Sequence, residues 1–365
     1  MPFRIPYKRV GDENRLVLDR VLPALQQVVG DGQFILRQAV TDFEQQAAIF
    51  LGAKHCIGVN SGTDALFFLL ASLDLLPGDE VILPSHTFVA TAAAVMHAGG
   101  RPVFVDIGDD FNIDADAMEQ AITKRTRAIL CVHMNGRMCQ MDRLQAIARQ
   151  HNLALVEDAA QSFGAKFRGE PIGAFGVGAA VSFHPLKLLS GWGDGGLVVT
   201  AQNGLAERIK QLRCHGERSK TEYVLFGYNS RLDNIQALVL SEKLKVFSAL
   251  VEHTRQLAAR YRDRLQSIAD IQLPAVDDAD RFSIFANYVI RTPRRDALHQ
   301  QLRDQGIESM VHWPVPLHRQ KQLFNKPVSL PKTDRVAQES LALPIGPMMS
   351  GEDVDEVVAA IKHCA

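Results

Sequence analysis

The sequence has no apolar run near the roughly 20 residues that a membrane-crossing helix requires. Its first residues, Met1-Pro2-Phe3-Arg4-Ile5-Pro6, lack the apolar core of a secretory leader. It carries almost no net charge, formally −1 at pH 7, so there is no electrostatic case for nucleic acid or an anionic membrane as partner. Cysteine is sparse. Cys56, Cys131, Cys139, Cys214 and Cys364 make an odd, scattered set with neither a pairwise framework nor metal-ligand spacing. Such a set suits a reducing compartment, and no metal is expected. Internal repeats and low-complexity tracts are also missing. The Gly-rich stretches Gly173–Gly178 and Gly191–Gly196 are not dinucleotide fingerprints. Neither joins a strand to the helix it opens, and no ribose-binding acid follows at the required distance. A cytoplasmic enzyme without a nicotinamide site is the expectation.

What is present is a long chain with an ordinary apolar share. Its 365 residues, 47% of them hydrophobic, exceed the usual single domain, so two lobes are expected. From His55 to about Thr200, short β-branched runs alternate with helical stretches. Val81–Leu83, Val103–Val105, Ala128–Val132, Leu153–Val156, Ala179–Phe183 and Leu197–Val199 read as strands. The stretches near Phe88–Ala98, Ala115–Ala121 and Met141–Gln150 read as helices. Continuous apolar strands between helices predict an α/β fold with a mostly parallel sheet covered on both faces. Ligands of such sheets bind beyond the carboxyl ends of the strands. Asn14–Val29 reads as an N-terminal helix, and Asn234 to about Ile268 as one long helix or two. Beyond it, strand Tyr288–Arg291 and helices Asp296–Gln305 and Asp353–Lys362 predict a smaller α+β lobe. Asp296 suits a cap or a first-turn acid.

Three elements carry candidate chemistry. Lys187 ends Ser182-Phe183-His184-Pro185-Leu186-Lys187, ahead of the Gly-rich Gly191–Gly196. Leu153–Val156 runs into Glu157-Asp158-Ala159-Ala160-Gln161. A lysine beyond one strand and an acid at the end of another suit opposite ends of pyridoxal 5'-phosphate (PLP): the amine forms a Schiff base with the aldehyde, and the carboxylate keeps the pyridine nitrogen protonated. The third element, His55–Asn60 followed by Ser61-Gly62-Thr63 and Asp64–Leu70, reads as strand, tight turn and helix. Amides at a helix N-terminus, with hydroxyls beside them, suit a phosphate dianion. Gly62 permits close approach, Ser182 is a second phosphate ligand, and Asp64 is expected to point away. Taken singly, each has a plainer reading: a solvated lysine, an Asp that caps a turn, a capped core helix. Their combination carries the argument.

With these residues in place, the chain resembles the DegT/StrS family of PLP-dependent nucleotide-sugar aminotransferases. The matching stretches are Asn60–Leu66, Pro84–Ala92, Pro102–Ile107, Glu157–Ala165, the lysine loop, Gly227–Asp233 and Val311–His318, in the family's order from about Gly32 to the C-terminus. The resemblance implies a mixed, mostly parallel seven-stranded sheet of the aspartate-aminotransferase type. Residues 1–240 would form the large PLP-binding domain and 241–365 the smaller C-terminal one. It implies that Lys187 is catalytic and that Gly62, Thr63, Phe88, Asp158, Gln161, Ser182 and Asn229 hold PLP. Phe88 would stack on the ring, Gln161 would reach its hydroxyl side, and Asn229 would reach the phosphate of the neighbouring subunit in a homodimer. The substrate contacts would be Tyr228, Arg231, His312, Trp313 and His318, with Tyr228 and Arg231 placed for a diphosphate. For Phe88 the plainer reading is a core aromatic, for Asn229 a solvated turn residue, and for the substrate set surface packing. Arg37, Leu188 and Asn135 depart from the family's pattern, as does Trp313, where a Tyr is more usual.

The activity so implied is transfer of an amino group from L-glutamate to a keto-sugar nucleotide. The stretch Asn229–Asp233 is similar to enzymes that aminate carbon 3 of UDP-linked 2-acetamido sugars. A dTDP-linked 3- or 4-keto-6-deoxy sugar is the alternative. Two rivals are a PLP-dependent sugar dehydratase, whose family signature replaces the lysine by His, and a PLP-binding regulatory protein, which would need a nucleic-acid or membrane module.

Overall fold

A computed structural model describes residues 3–324 and 327–363; Met1, Pro2 and Cys364, named above, lie outside the described residues. The central sheet is built from β1 (His55–Val59), β2 (Glu80–Pro84), β3 (Arg101–Val105), β4 (Thr126–Val132), β5 (Ala154–Asp158), β6 (Gly178–Ser182) and β7 (Gly196–Thr200). Their order is β1-β7-β6-β5-β4-β2-β3. β7 runs antiparallel to both its neighbours, and every other pairing is parallel. This is the expected seven-stranded, mostly parallel sheet.

Both faces are covered because apolar side chains alternate between them. In β4, Ala128 and Leu130 join the cluster of Phe68, Leu69 and Ile209. Ile129 and Cys131 join the opposite cluster of Phe43, Phe163 and Phe247. The first face is closed by helices Gly62–Ala71, Val89–His97 and Asn203–Leu212, the second by Gln38–Leu51, Met141–Gln150 and part of Asn234–Leu265.

Asn234–Leu265 is one unbroken helix. Its N-terminal half buries Leu240 and Phe247 in the sheet core, and its C-terminal half buries Leu257, Tyr261 and Leu265 in a second core. That second core wraps an antiparallel pair, β8 (Tyr288–Arg291) and β9 (Ser340–Leu343), with helices Arg295–Asp304 and Gly351–Lys362. The boundary between residues 240 and 241 lies inside the long helix, and we propose that this helix is the shared spine of the two lobes. Asp296 sits in the first turn of its helix without capping it, so it serves the dipole.

The N-terminal region differs from expectation. Asn14–Val29 is not one helix: Val10–Arg15 ends at Leu16, and a second helix, Leu18–Asp31, starts after Val17. Val17 and Val21 pack on Val239 of the spine, which fixes the break. Ahead of it, Ile5 bridges Ile307 and is buried in the second core.

Candidate active site

The sheet register assembles the site. Gly196 at the start of β7 pairs with Val59 on one side and Ser182 on the other. The turn after β1 and the end of β6 are therefore neighbours, although 120 residues of sequence separate them. A Cβ at Gly196 would lie 2.2 Å from the Ser61 carbonyl oxygen, and one at Gly62 would lie 2.6 Å from Ser182 Cβ. Only glycine lets these backbones close on each other. Gly62→Ala is expected to push Ser182 away and weaken cofactor affinity about tenfold or more, as measured by fluorescence titration of the apoprotein.

Ser61 caps the helix Gly62–Ala71, its Oγ accepting from the Asp64 N–H at 3.1 Å. Asp64 turns its Oδ2 to the Ser230 hydroxyl at 2.6 Å, which leaves the amides of Gly62 and Thr63 clear of its carboxylate. The helix N-terminus thus offers donors without an opposing charge.

At the end of β5, Asp158 is buried. Its Oδ1 accepts the Ala160 N–H at 3.2 Å and its Oδ2 the Thr91 hydroxyl at 2.9 Å; Thr91 Oγ lies 2.8 Å from Thr87 Oγ. Burial pushes the carboxyl above its usual range, while these donors and the Lys187 charge pull it back toward the anion. Burial lowers the Lys187 amine, and Asp158 opposes that shift. The two groups feel each other's charge within one enclosure. The lysine loop is pinned behind them: Gly191 N–H donates to the Phe183 carbonyl, Trp192 N–H to Gln236 Oε1, and Lys243 Nζ to Ser190 Oγ at 2.9 Å.

A cavity of about 500 Å³ opens at this edge. Gly62, Thr63, Phe88, Asp158, Gln161, Ser182, Lys187, His312 and Trp313 all line it. Phe88 precedes its helix rather than riding on it and stays 57% exposed, a free aromatic face. A buried carboxylate, an amine and an uncharged cradle of amides and hydroxyls in one cavity fit the pyridine nitrogen, aldehyde and phosphate of PLP.

The other expected residues lie elsewhere in the single chain. Asn229 is exposed and bridges Cys214. Tyr228 packs edge-on against Phe67, and Arg231 is half-buried away from the cavity. His318 is buried, with Nδ1 at 2.7 Å from Ser85 Oγ and Nε2 at 3.1 Å from Asp334.

Tyr7, Thr87, Thr91, Asn287 and Met310 line the cavity and were not foreseen in that role. Thr87 and Thr91 lay within a matching stretch, and their spacing of four was the available signal. Tyr7 and Asn287 gave none. Cys131, His133 and Cys139 also meet, their ligand atoms within 4.8 Å of one another, despite their unpromising spacing. Both His133 nitrogens are engaged, Nδ1 by the Cys139 N–H and Nε2 by Glu157. The trio gathers at the end of β4, outside the cavity lining.

Residues 18–362 match the DegT/DnrJ/EryC1/StrS aminotransferase family. This chain belongs to that family. It is 38% identical to the dTDP-3-amino-3,6-dideoxy-alpha-D-galactopyranose transaminase of Aneurinibacillus thermoaerophilus, over 98% of this chain and 99% of that protein. It is 36% identical to the UDP-2-acetamido-2-deoxy-3-oxo-D-glucuronate aminotransferase of Pseudomonas aeruginosa, over 98% of this chain and 100% of the relative. The solved structure of S. venezuelae DesV, in complex with a ketimine intermediate, superposes with a TM-score of 0.96 at 38% identity and covers 100% of this chain and 99% of its own. The cofactor of these DegT-family aminotransferases is PLP.

Proposed function

We propose that this DegT-family aminotransferase moves an amino group from L-glutamate to the keto carbon of a nucleotide-linked sugar, at carbon 3 of a UDP-linked 2-acetamido-3-keto sugar. The observation that carries the reading is the shared cavity: Asp158, Lys187 and the Gly62–Thr63–Ser182 cradle open into one space. PLP, when bound, supplies an aldehyde that takes up the amino group and a protonated ring that draws electrons from the substrate carbon.

The chain's residues do the rest. Asp158 pairs with the ring nitrogen, its anion supported by the Ala160 amide and the Thr91 hydroxyl. Phe88 provides an aromatic face for the ring. The Gly62 and Thr63 amides and the Ser182 hydroxyl hold the phosphate. Lys187 Nζ anchors the cofactor covalently. Once released, it carries a proton to and from the substrate carbon, a task served by an amine that burial keeps below the ordinary lysine range. His312 and Trp313 stand where the sugar enters. Tyr228, Arg231 and Asn229 would complete the site from a second subunit, which is why we assign a homodimer. Their segment carries the exposed apolar side chains Tyr223 and Phe226, which a partner would cover. Cys56, Cys131, Cys139 and Cys214 are free thiols, in keeping with a cytoplasmic setting.

Relatives acting on dTDP- and UDP-linked sugars differ from this chain by similar margins, so the dTDP-linked 3- or 4-keto-6-deoxy sugar is the second reading. The presence of Lys187 argues against the dehydratase. A coupled glutamate assay over a panel of UDP- and dTDP-keto sugars decides among them. The expected outcome is turnover highest with the UDP-3-keto substrate. Preference for a dTDP sugar moves the assignment to the second reading. Turnover with any amino donor excludes a purely regulatory role.

A further inference from the structure

The N-terminal segment is stitched to the second lobe. Arg4 and Ile5 N–H groups donate to the Gly306 carbonyl, the Glu308 N–H donates to the Ile5 carbonyl, and the Tyr7 N–H donates to Glu308 Oε2 at 2.8 Å. Lys8 Nζ donates to the carbonyls of Ala286 and Ile345, both at 2.8 Å. These bonds hold the Tyr7 ring at the cavity wall, 4% exposed, with its hydroxyl 2.7 Å from Asn287 Oδ1 and 3.1 Å from His312 Nε2.

The polarity of this cluster follows from one atom whose role is fixed. The Asn135 backbone N–H is a donor, and it meets Gln161 Oε1 at 2.8 Å. Asn135 holds it there from a left-handed backbone at φ 59°, a conformation Asn tolerates. Asn287 Nδ2 spends its two hydrogens on Gln161 Oε1 and Asn135 Oδ1, both at 3.3 Å. Asn287 Oδ1 is then an acceptor and takes the single Tyr7 proton. The Tyr7 oxygen is left to accept, so its second neighbour, His312 Nε2, must carry a hydrogen. His312 is neutral at physiological pH: burial, then Lys187 and Lys8, lower it to about 4. A neutral ring with a hydrogen on Nε2 has a bare Nδ1. Neither His312 Nδ1 nor Gln161 Nε2 has a hydrogen-bond partner among the described residues. The chain of bonds therefore ends in one acceptor and one donor on residues that line the cavity.

We propose that Tyr7 is a positioning residue that locks His312 in the Nε2–H tautomer, so that its Nδ1 accepts a hydrogen bond from a hydroxyl or N–H group of the sugar. The hydrogen on Nε2 follows from the hydrogen bonds and the bare Nδ1 from the neutral ring; the sugar contact rests on the function proposed above. The imidazole of the holoenzyme is read by 15N NMR with labelled histidine, the His312 signals being those lost in His312→Gln. The wild type is expected to show a protonated Nε2 and a bare Nδ1. Tyr7→Phe removes the hydroxyl that accepts from Nε2–H and is expected to give a mixture of tautomers, with KM for the keto-sugar nucleotide raised about tenfold and kcat changed less. A protonated Nδ1 in the wild type, or an unmixed Nε2–H form in Tyr7→Phe, overturns the lock. The expected NMR result without a rise in KM overturns the substrate contact and leaves the lock standing. The wild-type spectrum judges the lock even if Tyr7→Phe does not fold.

Discussion

Lys187→Ala is expected to purify as a folded protein with no visible absorbance from a cofactor imine and to turn over at least about 10⁴-fold more slowly than wild type. The loop should survive the change. Its turn is closed by main-chain bonds, Lys187 N–H to the His184 carbonyl and Gly191 N–H to the Phe183 carbonyl, and Leu188 and Leu189 stay buried on the sheet core. What is lost is one amine, and with it both roles proposed for it, the covalent anchor and the proton carrier. Two functions on one atom explain why this is the largest effect foreseen. The absorption spectrum of the purified variant with added PLP is the check, and a persistent band would assign the imine to another lysine.

Asp158→Asn is expected to separate binding from chemistry. The Asn side chain keeps the size of Asp and still offers an oxygen to the Thr91 hydroxyl. The cradle of Gly62, Thr63 and Ser182 is untouched, so the cofactor band should remain. The anion proposed to keep the pyridine nitrogen protonated would be gone, and stabilisation of charge developing at the substrate carbon would fall with it. A loss of about 10³-fold in the single-turnover rate with glutamate is the expected result. A variant within a few-fold of wild type would show that Asp158 serves only to cap the turn at Ala160.

Most of the fold was legible in the sequence because its strands are short apolar runs buried on both sides. β4 illustrates this: Ala128 through Val132 reads as continuous hydrophobicity because alternate residues enter two different cores. The N-terminal helix was misread because its break at Leu16–Val17 is set by packing on Val239 of the distant spine, and no Gly or Pro marks it. That Lys187, Asp158 and Gly62 meet in one cavity could be read ahead because each lies at or a few residues past the end of an apolar strand. Tyr7 and Asn287 could not, since their bond joins positions 280 apart and neither lies in a periodic or Gly-marked segment. The trio Cys131, His133 and Cys139 was hidden for a related reason. The turn after β4 folds Cys139 back against the strand, and its N–H reaches His133 Nδ1 at 3.2 Å. Phe88 was placed on a helix that begins one residue later, a difference that frees its ring toward the cavity.

The proposed transfer chemistry depends on a bond between Lys187 and the cofactor. Borohydride reduction of the PLP-loaded protein, followed by proteolysis and mass spectrometry, makes that bond permanent and locates it. A single reduced phosphopyridoxyl adduct is expected, on the peptide that contains Lys187. An adduct confined to another lysine, or none at all on a protein that has bound PLP, would contradict it.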